Sequence, residues 1–92
     1  MVKRLILKQR LDSAAAASLR DALAAAGAED IALDASEVEV LGGLCLELLM
    51  CASQVARATG QAFAIANPSE AFADNLARFG LTPDALAAGG VA

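Results

Sequence analysis

The sequence predicts an α/β fold: a short, mainly parallel sheet of three to four strands, with helices mostly on one face. Two observations carry that reading. Strand-like and helix-like segments alternate through 92 residues as strand–helix–strand–helix–strand–helix, an order that favours right-handed crossovers between parallel strands. Each strand also sets large apolar residues on one face and small or charged ones on the other, whereas a sheet covered on both faces needs bulk on both.

The first strand is expected at about Lys3 to Leu11, where Leu5, Leu7, Gln9 and Leu11 alternate with Arg4, Ile6, Lys8 and Arg10. Asp12 or Ser13 is the expected cap of a helix to about Ala26, with apolar Leu19, Leu23 and Ala26 and a stop at Gly27. The second strand, Asp30 to Asp34, pairs Ile31 and Leu33 on one face. A turn through Ala35–Val40 and the pair Gly42-Gly43 lead into the longest helical segment, Leu44 to Ala58, which Gly60 ends. Ala62 to Ala66 is the third strand, with Phe63 and Ile65 on the core side and alanines on the other. Asn67-Pro68-Ser69-Glu70 reads as cap, first-turn proline and returning glutamate for a helix to about Phe79. Thr82-Pro83 repeats the device for a last helix through Leu86, and Gly89-Gly90 is expected to fray.

Length allows one domain, residues 1–92, with one modest core. Hydrophobic residues make up 58%, yet no apolar run approaches the ~20 residues of a spanning helix. No secretory leader is read at the N-terminus, because its apolar run stops after three residues, so the expected setting is cytoplasmic. A net charge of −4 argues against nucleic acid, since phosphate binding needs clustered cations. Lys3, Arg4, Lys8 and Arg10 do cluster, and the expected role is a solvated strand face or an edge guarded against aggregation. With no histidine and no Cys-x-x-Cys, metal, cofactor and redox sites are not expected. Cys45 and Cys51 read as small packing residues. The absence of a plausible nucleophile–base pair makes an enzyme the weakest class.

Three segments together resemble the STAS domain family of sulfate transporters and anti-sigma factor antagonists. They are Leu7-Lys8-Gln9-Arg10-Leu11-Asp12, then Asp34-Ala35-Ser36-Glu37-Val38-Glu39-Val40-Leu41, and Asn67-Pro68-Ser69 followed by Leu76-Ala77-Arg78-Phe79-Gly80-Leu81. The resemblance covers nearly the whole chain and implies a bacterial α/β domain that docks its second strand-to-helix loop and following helix onto a protein partner. In the best-known members that loop reads roughly Asp-Ser-x-Gly-Leu, and phosphorylation of its serine releases the partner. Here Gly42 falls on the aspartate, Gly43 on the serine, Cys45 on the glycine and Leu46 on the leucine, so no phosphorylation is expected at this position. The family's usual first strand has no counterpart before the strand leading to Leu11-Asp12.

The docking loop and helix that the resemblance implies, together with the apolar stripe on that helix, give the candidate partner-binding set: Asp34, Ser36, Glu37, Gly42, Gly43, Leu44, Glu47, Leu48 and Cys51. Asp34 at a strand end suits bonding to loop N–H groups. Ser36 with Glu39 could form a capping box, although Val38 and Val40 favour an extended turn. Gly42-Gly43 could form an anion nest but lacks the lysine and hydroxyl of a phosphate loop. Leu44, Leu48 and Cys51 recur at helical spacing beside Glu47, while Leu46, Leu49 and Ala56 turn toward the sheet. A helix apolar on both faces is a helix that docks, unless a C-terminal segment or a homodimer covers the stripe. The expected function is a non-catalytic signalling adaptor, anti-sigma factor antagonist-like or chemotaxis-associated, on a histidine-kinase-like or serine-kinase-like protein. The alternative is an accessory subunit on the cytosolic ATPase of a lipid ABC transporter, because small stand-alone STAS proteins are known in such complexes. Neither reading involves direct insertion into a membrane.

Overall fold

The computed structural model describes residues 2–27 and 29–89. Its strands are β1 (Val2–Ile6), β2 (Arg10–Leu11), β3 (Asp30–Asp34), β4 (Val40–Leu41) and β5 (Phe63–Ala66). Its helices are α1 (Ala16–Ala26), α2 (Gly43–Thr59), α3 (Glu70–Ala77) and α4 (Pro83–Ala87), with a 3-10 turn at Ser13–Ala15 before α1. All pairing is parallel: β1, β3 and β5 form one sheet in that order, and β2 pairs with β4 in a second.

The first expected strand is therefore two strands, because its partner turns away. The Asp34 carboxylate accepts the Ser36 N–H at 3.0 Å, bending the chain out of β3. Leu7 still donates to the Asp34 carbonyl at 2.9 Å, but the Gln9 carbonyl accepts from both Glu39 and Val40, at 2.8 and 3.0 Å. Pairing resumes with β4 as soon as that segment returns. Ser36 and Glu39 build no capping box; the extended reading of Val38–Val40 holds.

The core lies on one side of the main sheet, as the strand pattern implied. Leu7, Leu11, Ile31 and Leu33 meet Leu19 and Ala26 of α1 and Leu46, Leu49 and Ala56 of α2, all buried. The opposite face carries exposed Val2, Ile6 and Ala64 and the Arg4–Asp34 ion pair. Such exposure is unusual for a parallel sheet.

Helix ends depart from expectation in instructive ways. Asp12 precedes the 3-10 turn without a side-chain cap bond. The cap of α3 is Ser69, not Asn67: its hydroxyl accepts the Phe72 N–H at 3.0 Å and donates to the Val38 carbonyl at 2.6 Å. Asn67 instead turns the chain at φ 50°. Thr82 does cap α4, accepting the Ala85 N–H at 3.1 Å with Pro83 behind it. Gly89 is buried rather than frayed, and its carbonyl accepts from Gln54 at 3.2 Å; Gly90 lies outside the described residues.

Candidate protein-docking site

Two faces of helix α2 are already committed. Leu46, Leu49 and Ala56 face the sheet. Ser53, fully buried, donates its hydroxyl to the Leu86 carbonyl at 2.6 Å and lies 3.2 Å from that of Ala87, fixing α4 alongside. The C-terminal segment thus packs on the Ser53–Gln54–Arg57 side of α2, leaving the Leu44–Cys51 side uncovered among the described residues.

Leu44 is 51% exposed, Glu47 and Cys51 are exposed, and Leu48 is half-buried against the core margin. The stripe extends one turn further than expected, to Val55 at 59% exposure; its spacing of four from Cys51 was the available sign. Beside it runs an open, mostly apolar groove of about 270 Å³ between α1 and α2, lined by Leu23, Leu48, Cys51, Ala52 and Val55, with Arg20 at its margin. Cys51 is therefore a surface residue, as its helical spacing with Leu44 and Leu48 placed it, and only the reading of it as a small packing residue fails. Cys45 is buried, with its thiol 3.3 Å from the Asp12 carbonyl; burial pushes that thiol up in pKa, and the Asp12 carboxylate adds to the effect.

The loop residues divide. Ser36 and Glu37 are exposed on the turn, and Gly43 is exposed at the start of α2 with open space where a Cβ would stand. Gly42 is held by packing: its N–H donates to the Leu11 carbonyl at 2.8 Å, and a Cβ there would sit 3.3 Å from that oxygen. Asp34 is apart from the stripe, on the sheet face away from α1 and α2. Its carboxylate accepts from the Arg4 guanidinium at 2.8 Å, which with the Ser36 N–H holds its pKa well below the usual carboxylate range. The structure thus groups Ser36, Glu37, Gly43, Leu44, Glu47, Leu48 and Cys51 along one loop and helix, and it gives Asp34 and Gly42 structural partners. Among the described residues no cluster of side chains could hold a metal ion, and no helix is long and apolar enough to cross a membrane.

No curated protein and no solved structure matches the chain. The family model described as "Mlab, STAS domain" matches residues 2–86, nearly the whole chain. Its span takes in every strand, all of α1 to α3 and most of α4, and the chain belongs to the STAS domain family, whose members are protein-interaction modules.

Proposed function

We propose that this protein is a constitutive, non-catalytic adaptor of bacterial signalling, anti-sigma factor antagonist-like or chemotaxis-associated. It works in the cytoplasm and docks the Ser36–Gly43 loop and the Leu44–Val55 stripe onto a histidine-kinase-like or serine-kinase-like partner. The observation behind this reading is the uncovered apolar stripe on α2, placed directly after a glycine where the family's switch has a serine. Apolar side chains in a row beside an open groove gain by leaving water, and Glu37 and Glu47 supply a charged rim that orients the contact. With no hydroxyl at Gly43 and the Ser53 hydroxyl buried, neither position offers a kinase an accessible group.

A second reading, an accessory subunit on the cytosolic ATPase of a lipid ABC transporter, is supported by the Mlab description of the matching family model. Both readings use the same surface, and co-expression with the proteins encoded beside it separates them. The first expects a signalling kinase to co-purify; the second expects an ATPase. In either case Leu44→Arg should abolish co-purification while leaving the circular dichroism and melting temperature unchanged, because half of that side chain already meets solvent. Undiminished co-purification by that variant places the interface elsewhere. A phosphate appearing on Ser36 after incubation with the captured kinase and ATP would end the constitutive reading.

A further inference from the structure

The second uncommitted feature lies away from α2, at the free edge of β1. Among the described residues this strand pairs only with β3, and because Leu7 donates to the Asp34 carbonyl, Leu5 and Lys3 bond inward by the alternation of a parallel ladder. The amides and carbonyls of Arg4 and Ile6 therefore point away from the sheet. Beneath that edge is a cavity of about 90 Å³ between β1 and α1, with Leu5, Leu7, Leu11, Leu19 and Ala22 in its lining and Lys8 and Ser18 joined at 3.2 Å across its rim. A free ladder beside an apolar slot is the arrangement that accepts an added strand: backbone bonds hold it, and alternate side chains drop into the slot.

Charge selects the occupant. Residues 1–10 hold Lys3, Arg4, Lys8 and Arg10 and no acid, whereas all eleven acidic residues lie beyond them. A second copy of β1 would set Lys3 and Arg4 against their own kind, the repulsion that keeps edge strands from self-pairing. Arg4 is already paired with Asp34 and Arg10 lies 3.7 Å from Asp12, so Lys3 and Lys8 are the cations that attract an acidic segment. We infer that the β1 edge binds, by strand addition, an extended segment of a partner protein in which apolar residues alternate with aspartate or glutamate. This surface differs from the α2 stripe and does not depend on the adaptor reading.

The probe is a synthetic peptide, acetyl-Asp-Val-Glu-Leu-Glu-Val-Asp-amide, added to the full chain and followed by amide NMR. The expected result is saturable binding that slows exchange of the Arg4 and Ile6 amides by about tenfold or more, as newly bonded amides require. Binding should weaken as salt rises, and a peptide with lysine in place of every acid should not bind. Ala22→Leu fills the slot from α1 and should abolish binding with the fold intact. If that variant unfolds, Lys3→Glu with Lys8→Glu serves, reversing charge at two exposed positions with the same expected loss. Unchanged exchange at Arg4 and Ile6, binding that survives the folded variant, or association with anionic phosphatidylglycerol vesicles in place of the peptide would each overturn the inference.

Discussion

Asp34 shows how one side chain is drawn away from a site by its neighbours. At the end of a strand followed by a loop, it had the position of a ligand. Its two oxygens are instead taken by the Arg4 guanidinium and the Ser36 N–H, and the residue is 7% exposed. The loop bond was legible, because aspartate two residues before a free N–H is a turn former. The ion pair was not, since Arg4 lies 30 residues away and meets Asp34 only once β1 and β3 pair. The pairing gives a pH dependence of definite sign. Asp34 has a folded pKa depressed below its unfolded value of about 3.9, so its contribution is complete above that value and is lost as pH falls below it toward the folded value. Melting temperatures taken from pH 7 down to pH 2 should fall more steeply for the wild type than for Asp34→Asn, which keeps the acceptor for Ser36 but not the titrating charge. Parallel curves would show that other carboxylates carry the acid sensitivity.

At the scale of elements, α2 is the helix whose faces the sequence described most fully and whose surroundings it could not supply. Period alone put Leu46, Leu49 and Ala56 inward and Leu44, Leu48 and Cys51 outward, and five of those six fall where period placed them. Leu48 is the exception, half-buried because α1 stands close enough to make a groove with α2. Period could not say that Ser53 would anchor α4, since a buried serine is recognisable only with its acceptor carbonyls in view. The two cysteines report this geometry directly. Cys45 is sealed under Asp12 with its thiol shifted up, so it forms little thiolate, whereas Cys51 faces solvent. One equivalent of a thiol reagent should react within the mixing and labelling time of a native sample, and peptide mapping should put it on Cys51. The second should react only after denaturant is added. Two equally fast thiols would mean that the start of α2 opens in the native state, and a slow Cys51 would mean that something covers the stripe.

For the molecule as a whole, the distribution of bulk decides where the stability resides. Phe63 and Ile65 belong on the core side of the third strand by alternation, and they do face the core, but both are only half-buried. The reason is topological: β5 is an edge strand in the order β1, β3, β5, so one flank of each side chain has no neighbouring strand. The large side chains that are fully enclosed include Phe72 and Leu76 of α3 and Leu86 of α4, contributed by the short helices at the end of the chain. Sequence conceals their importance because an eight-residue helix has little periodic signal, and the Asn67-Pro68 signature points to a cap two residues before Ser69. Ser69 links the two halves of this arrangement, since its hydroxyl starts α3 and also holds the loop before β4 through Val38. Removing the enclosed ring leaves a cavity that neighbours tied down in this way cannot fill. Phe72→Ala should therefore cost about 3–5 kcal/mol, a large share of the ~5–15 kcal/mol available to a domain of this size. Phe63→Ala loses only the buried half of its contacts, and its vacated space opens to solvent, so its loss should be clearly smaller. Urea denaturation of the two variants beside the wild type measures the difference as midpoint shifts at equal slope. A Phe63→Ala loss equal to or larger than that of Phe72→Ala would place the structural centre at the sheet edge and not beneath α3, and the two short C-terminal helices would then be dispensable cover.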